Sequence, residues 1–123
     1  MAHILVVEDE SHIARVMSLW LTRHGHTIVE AANGQIALDR LASETVDMII
    51  SDMNMPVLNG MELVAAVRGE LKLDVPFMLL SARCDQEKLG KQMEPYHVHL
   101  FPKPFVPSRL VADIDRLLTA ATT

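Results

Sequence analysis

The chain has 123 residues, of which 11 are basic and 16 acidic, giving a formal net charge of -5. This length is typical of one domain, and a hydrophobic content of 50% supports a buried core and excludes intrinsic disorder. The acidic balance argues against a broad surface for nucleic acid or anionic membrane. The longest apolar runs have the length of a strand, far below the roughly 20 residues that a membrane span needs. We therefore expect one domain over residues 1–123, with no nucleic-acid or membrane partner.

Cysteine usage and the first residues of the chain indicate the compartment. Cys84 is the single cysteine, which excludes an internal disulfide. The chain opens without the basic stretch and apolar core of a secretory signal. Both features predict a reducing, cytoplasmic setting. Since no repeat, low-complexity tract or linker-like segment follows the domain, we expect no output domain.

Short apolar runs alternate five times with segments of helical periodicity. The predicted strands, each rich in Val, Ile, Leu, Met or Phe, are residues 3–7, 27–31, 46–51, 75–80 and 97–101. We expect their central members to be fully buried. Five strand–helix units predict an α/β fold in which a parallel sheet is covered by helices on both faces.

The helical segments differ in strength. The apolar stripe of the first consists of Ile13, Val16, Met17, Trp20 and Leu21, and this helix ends near Gly25. Similar stripes lie at residues 37–41, 63–71 and 110–118, and Pro107 suits the first turn of the last helix. The fourth helix, about residues 85–93, is weak because it includes Gly90, which costs about 1 kcal/mol relative to alanine. We expect it to be the most mobile element.

Polar residues collect where the predicted strands end. The first strand is followed by Glu8 and Asp9, the third by Asp52, the fourth by Ser81 and the fifth by Lys103. Right-handed crossovers bring the C-terminal ends of all strands to one edge of a parallel sheet, so these side chains are expected to converge. Three carboxylates in one place repel each other unless a cation neutralises them, and all-oxygen donors favour Mg²⁺ or Mn²⁺.

Each of these residues also has an ordinary structural explanation. A carboxylate at a strand end is often a helix N-cap, with roughly even odds for any one of them. A lysine before proline is usually a solvated loop residue, and a lone serine usually bonds its local backbone. It is their combination that indicates a functional site.

Four blocks of sequence carry a family resemblance. They are ILVVEDE at 4–10, SDMNMP at 51–56 followed by Asn59 and Gly60, Ser81 with Ala82, and KPF at 103–105. In these blocks the chain resembles the response-regulator receiver domain, the CheY-like domain of bacterial two-component signalling. The resemblance covers essentially the whole chain. It implies a flavodoxin-like (βα)5 fold with strand order 2-1-3-4-5.

The resemblance also implies the chemistry of the site. Asp52 would be the phosphoacceptor, taking a phosphoryl group from a sensor histidine kinase or a phosphotransfer protein. Asp9, Asp52 and the backbone carbonyl of Asn54 would hold Mg²⁺ or Mn²⁺, and Glu8 would reach the ion through water. The phosphoryl oxygens would be bound by Lys103, the Ser81 hydroxyl and the Ala82 amide. A cis peptide bond before Pro104 is implied as well.

A receiver of this kind is a switch and not an enzyme, since it catalyses only its own Mg²⁺-dependent phosphorylation and dephosphorylation. The resemblance implies that a downstream protein binds the face made by the fourth helix, the fifth strand and the fifth helix. We expect a monomer or a weak dimer.

The chain departs from the family pattern at three places. Leu100 occupies the position, three residues before the lysine, where the family usually has an aromatic switch residue, and Phe101 faces the opposite side of the strand. Residues 95–97, Pro-Tyr-His, replace a turn of small residues. In the last helix, Asp113 and Asp115 stand where DNA-binding regulators tend to place basic residues for receiver dimerisation.

Three other functions and a second metal site fit the sequence less well. A phosphorylation-independent pseudo-receiver usually lacks an acidic residue or the lysine, and none is missing here. An aspartyl-phosphate phosphohydrolase is less favoured, because Asn54 cannot serve as its general acid and base. A flavin carrier would need a phosphate-binding loop where Glu8 and Asp9 stand. A metal site at His97 and His99 lacks further ligands at suitable spacing.

Overall fold

The computed structural model describes residues 2–122, except for the side chains of residues 83, 121 and 122. Its five strands are β1 His3–Val7, β2 Thr27–Ala31, β3 Met48–Asp52, β4 Phe77–Ser81 and β5 His99–Pro102. All neighbouring strands pair in parallel, in the order β2-β1-β3-β4-β5. The predicted α/β class, parallel sheet and strand order are confirmed.

The last three strands begin two residues later than predicted and end one residue later. The prediction followed the apolar runs, which extend back to Val46 and Val75, whereas the ladders begin where Ile4 pairs with Met48 and Ile49 with Phe77. As a result, Asp52 is the last residue of β3 and not the residue after it. A strand end is held by its ladder, so the acidic side chain lies on a fixed backbone.

Helices connect the strands and follow the last one. They are α1 Ser11–Arg23, α2 Gly34–Leu41, α3 Gly60–Ala65, α4 Gln86–Met93 and α5 Pro107–Thr122. A π-helical turn, Ala66–Glu70, continues α3, and two 3₁₀ turns, Arg83–Asp85 and Glu94–Tyr96, flank α4. The start of α5 at Pro107 agrees with the prediction, whereas α4 starts one residue late because Asp85 belongs to the preceding turn. None of the helices over residues 2–122 has the length and apolar composition that a membrane span requires.

The core consists of two apolar clusters, one on each face of the sheet. Alternation along β1 sends Ile4 and Val6 to the cluster beneath α1 and α5, and Leu5 and Val7 to the cluster beneath α2 and α3. The central strands β1, β3 and β4 are almost wholly buried. Strands β2 and β5 are the edges and stay partly exposed, so the expectation that every strand is fully buried at its centre is wrong for both of them.

Burial along α1 also differs from its sequence pattern. Met17 and Leu21 are buried as predicted, but Val16 remains 40% exposed. Val16 lies at the margin of the apolar stripe, and a helix packed on a sheet buries only its central rows.

Candidate functional site

Three carboxylates meet at the C-terminal edge of the sheet. Asp52 ends β3, and Glu8 and Asp9 directly follow β1, its neighbour in the sheet. One carboxylate oxygen from each residue lies within 4.8 Å of the others. Glu8 and Asp52 are buried, at 3% and 4% exposure, whereas Asp9 is exposed. The predicted convergence of these three acidic residues is therefore observed.

The charges of this acidic cluster are only partly balanced. Lys103 Nζ forms an ion pair with Asp52 Oδ1. Burial, and then the charge of Asp52, raise the pKa of Glu8 to about 8, although Lys103 acts in the opposite direction. The shift disfavours the ionised form of Glu8. A second positive charge would favour its ionised form.

The donor set fits a hard divalent cation. Its ligands are carboxylate oxygens only, spaced closely enough for one ion to contact them together. The mixture of one exposed and two buried carboxylates also leaves a side open to solvent. Asn54 lies exposed on the loop after β3, and the role of its backbone carbonyl stays a prediction.

Ser81 and Lys103 reach the site from the next two strands. Ser81 ends β4 and is 1% exposed, and its backbone carbonyl accepts a 2.8 Å hydrogen bond from the Lys103 amide. Ala82 follows, half-buried. The peptide bond between Lys103 and Pro104 is cis, as the resemblance implied. The Lys103 ammonium thus lies beside Asp52, and Ser81 ends the strand next to β3. The contacts of Lys103, the Ser81 hydroxyl and the Ala82 amide with a phosphoryl group stay predictions.

Gln86 is a neighbour of the site that sequence reasoning missed. It is the first residue of α4, and its side-chain Nε2 donates a hydrogen bond to Ser81 Oγ. Periodicity gave no signal for this contact, because the intervening 3₁₀ turn Arg83–Asp85 determines where the side chain points.

The loop between β3 and α3 folds tightly against the strand. A Cβ at position 60 would lie 2.6 Å from the Asp52 carbonyl oxygen, and the Gly60 amide donates to the Met53 carbonyl at 2.8 Å. Asn59 and Glu62 form a capping box, each side chain accepting from the other residue's backbone amide. Only glycine at position 60 therefore lets the start of α3 pack this closely against the backbone of Asp52.

The atypical segment before β5 is held by an arginine that the sequence did not single out. Arg68, half-buried in the π-helical turn, donates hydrogen bonds to the carbonyls of Leu73, Val75, Tyr96 and His97. Burial lowers the pKa of its guanidinium, and Asp74 partly offsets this effect. Arg68 thus joins the connection before β4 to the connection before β5.

The remaining departures are also accounted for. Leu100 packs in the cluster that contains Met93 of α4, whereas Phe101 packs in the opposite cluster, which confirms that they face different sides. Asp115 pairs with His26 at 3.0 Å, and Asp113 with Arg116 at 3.2 Å.

The two histidines that were considered as a metal site do not belong to the acidic cluster. Among residues 2–122, the metal-capable cluster is that of Glu8, Asp9 and Asp52, and it includes neither His97 nor His99. Cys84 is exposed in the 3₁₀ turn before α4.

Comparisons with known proteins agree with this geometry. Response regulator SaeR of Staphylococcus aureus is 29% identical over 119 residues, which are 97% of this chain but 51% of SaeR, so the chain spans about half the length of this curated relative. Chemotaxis response regulator CheY4 of Vibrio cholerae is 33% identical, with a TM-score of 0.87 over 95% of this chain and 98% of that one. Response regulator TrrA of Thermotoga maritima, solved in complex with Mg(2+)-BeF, is 29% identical, with a TM-score of 0.82 over 95% and 99%.

A family model also matches most of the chain. The model described as the response regulator receiver domain aligns with residues 4–115, a range that includes the acidic cluster and all five strands except for His3 of β1. Strand order, site geometry and sequence agree, and the chain belongs to the response regulator receiver domain family of two-component signalling.

Proposed function

We propose that Asp52 accepts a phosphoryl group from the phosphohistidine of a sensor histidine kinase or phosphotransfer protein, and that this modification switches the binding of a partner. One observation carries the proposal. Asp52 is buried at the end of β3, ion-paired with Lys103 and clustered with two further carboxylates. A charged nucleophile beside both a cation and a potential metal site is the arrangement that phosphoryl transfer needs.

In this reaction a carboxylate oxygen of Asp52 attacks phosphorus, and the bond between phosphorus and the donor's imidazole nitrogen breaks. The imidazole leaves with the bonding electron pair, and an acyl phosphate remains on Asp52. The Lys103 ammonium stabilises negative charge on the phosphoryl oxygens, and the Ser81 hydroxyl and Ala82 amide donate hydrogen bonds to them. Beyond the nucleophile itself, the chain thus contributes positioning and electrostatics.

Mg²⁺ would be the cofactor, with Asp9, Asp52 and the Asn54 carbonyl holding it directly and Glu8 acting through water. When bound, the ion supplies positive charge that offsets repulsion between the carboxylates and the incoming phosphoryl group. The complex of the similar protein TrrA with Mg(2+)-BeF supports this assignment. Mn²⁺ has the same ligand preference and could replace it.

The chain would catalyse only its own phosphorylation and dephosphorylation, acting in the cytoplasm as a monomer or weak dimer. We propose that its output partner is a protein that binds the α4–β5–α5 face. A groove of about 440 Å³ between β5 and α5 supports this assignment, with Phe101 and Phe105 as apolar lining and Arg109 and Arg116 as cationic lining.

The intact ion pair and acidic cluster favour this function over a pseudo-receiver, which needs neither. The amide of Asn54 likewise gives no support to a phosphohydrolase, whose second acidic residue must transfer a proton.

Intact-mass measurement after incubation with acetyl phosphate and Mg²⁺ tests the proposal. Wild-type protein should gain one phosphoryl group, and Asp52→Asn should gain none. Asp74→Asn, which removes a carboxylate from the connection before β4, should be modified like wild type. Equal modification of wild type and Asp52→Asn would overturn the assignment of Asp52.

Calorimetric titration with Mg²⁺ tests the metal ligands. A direct ligand contributes more to affinity than one acting through water, so Asp9→Asn should weaken binding more than Glu8→Gln does. The reverse order would show that the direct and water-mediated roles are exchanged.

A further inference from the structure

The Ser81 hydroxyl, which lies at the proposed phosphoryl site, has a side-chain partner on α4. Ser81 is 1% exposed, and Gln86 is half-buried at the first position of the helix. The Gln86 amide Nε2 donates to Ser81 Oγ. This contact connects the end of β4 directly with the beginning of α4.

The direction of this hydrogen bond decides what the hydroxyl can still do. A serine hydroxyl has one hydrogen to donate and two lone pairs that accept. The Gln86 amide fills one lone pair, which leaves the hydrogen of Ser81 available for an anionic oxygen. Donation into the hydroxyl oxygen also polarises the O–H bond and makes it a stronger donor.

We propose that Gln86 is a positioning residue that orients the Ser81 hydroxyl toward the phosphoryl group on Asp52 and transmits the hydroxyl's movement to the start of α4. This inference rests on the proposed phosphorylation of Asp52. It adds the residue that controls how Ser81 takes part, a role that Gln86 performs without touching the phosphoryl group itself.

The hydrogen bonds at the start of α4 support the proposal that Gln86 transmits the movement of Ser81 to this helix. Asp85, at the N-cap position, makes no capping hydrogen bond with its side chain, although its backbone amide bonds the Ala82 carbonyl at 3.0 Å. The side chain of Gln86 therefore supplies a tie to β4 that the cap does not. When Ser81 moves, Gln86 must either follow it or lose the hydrogen bond.

Nuclear magnetic resonance tests the contact itself in unphosphorylated protein. The side-chain amide resonances of Gln86, assigned by their loss in Gln86→Ala, should shift when Ser81 is replaced by alanine. The amide of Gln92, exposed on the same helix, serves as the control and should not shift. Unchanged Gln86 resonances in Ser81→Ala would overturn the contact.

Phosphorylation kinetics with acetyl phosphate test the positioning role. Loss of one hydrogen bond corresponds to a change of roughly two- to tenfold, so Gln86→Ala should slow phosphorylation by about that factor. Gln86→Glu should slow it more, because a carboxylate can only accept and takes the hydroxyl's hydrogen away from the phosphoryl group. Gln92→Ala and Gln92→Glu provide the same changes at an exposed position of α4 and should match wild type.

A double-mutant comparison separates this role from a general effect on folding. In the Ser81→Ala background, Gln86→Ala should cause no further loss, since its effect passes through the hydroxyl. An equal loss in both backgrounds, or equal slowing by the Gln92 variants, would overturn the inference. Wild-type rates in Gln86→Ala would overturn it too and leave the proposed function intact, whereas failure of wild type to gain a phosphoryl group would refute the proposed function itself.

Discussion

Gly60 at the start of α3 and Gly69 in the π-helical turn that follows it differ in the space available for a side chain. At position 60 an added Cβ would lie 2.6 Å from the Asp52 carbonyl oxygen, whereas at position 69 nothing lies within 4 Å. Gly60→Ala should therefore lower the free energy of unfolding by roughly 2 kcal/mol, as overpacking does, and slow the phosphorylation of Asp52. Gly69→Ala should leave stability unchanged or raise it by up to about 1 kcal/mol.

Urea unfolding of both variants, with the phosphorylation assay in parallel, measures these effects. Similar stability of the two alanine variants would show that the loop adjusts to a side chain at position 60 without cost.

His99 is the residue whose titration the structure perturbs in a testable direction. Desolvation of its ring, and then the charges of Arg116 and Arg68, lower its pKa below the usual 6.5. Protonation therefore costs more in the folded chain than in the unfolded one, so His99 favours folding above pH 6.5 and this contribution is lost as pH falls through its lowered pKa.

An NMR titration of the His99 ring should give a midpoint below 6.5. Arg116→Gln should raise this midpoint, and Arg109→Gln, on the same helix, provides the control. A midpoint that does not respond to Arg116→Gln would exclude the electrostatic contribution of this arginine.

The acidic cluster and Lys103 could be predicted from sequence because each residue stands beside a recognisable apolar strand, and topology alone brings strand ends together. The roles of Gln86 and Arg68 could not be predicted in this way. Arg68 bonds the carbonyl of Tyr96, 28 residues away, and such a contact depends on the geometry of a π-helical turn that no periodicity indicates.

At the scale of elements, α4 has few buried apolar residues and contains a glycine that could be replaced by a better helix former. Its buried residues are Leu89 and Met93, and a Cβ at Gly90 would lie 3.9 Å from Leu100 Cδ1, an ordinary van der Waals contact. Gly90→Ala should therefore raise the free energy of unfolding by about 0.5–1 kcal/mol, since alanine is the better helix former and nothing obstructs it.

Thermal unfolding and amide hydrogen exchange over residues 86–93 measure the effect of Gly90→Ala. Lys88→Ala, at an exposed position of the same helix, should change both much less. Reduced stability of Gly90→Ala would show that α4 needs a glycine for packing, contrary to the space that surrounds it.

The limits of the strands and the burial of the edge strands are features that the apolar pattern of the sequence does not predict. Val46 is buried like a strand residue, yet β3 begins at Met48, because burial is decided by packing and strand limits by the partner's ladder. The edge position of β5 exposes His99, although its apolar neighbours predicted a buried strand. Burial patterns of edge strands follow from sheet order, which here came from the family resemblance.

Across the whole molecule, the sheet separates two routes by which the phosphorylation state could reach the surface. Leu100 belongs to the cluster shared with Met93 of α4, and Phe101 to the cluster beneath α1 and α5. Leucine has no ring to move into the space that Ser81 would leave, so its two rotamers differ less in exposed area than those of an aromatic residue. Because a ligand shifts an equilibrium only by its differential affinity for the two states, another element must respond.

We expect that element to be α4, which the Gln86 contact joins to Ser81. Hydrogen exchange with and without Mg²⁺ and beryllofluoride, a mimic of the phosphoryl group, should therefore show protection changes over residues 86–93, with smaller changes at Leu100 and Phe101. Asp52→Asn should show neither, because it cannot hold the mimic. Changes confined to residues 100 and 101 would instead mean that leucine performs the switch at the aromatic position, and that α4 is carried along without responding to the site.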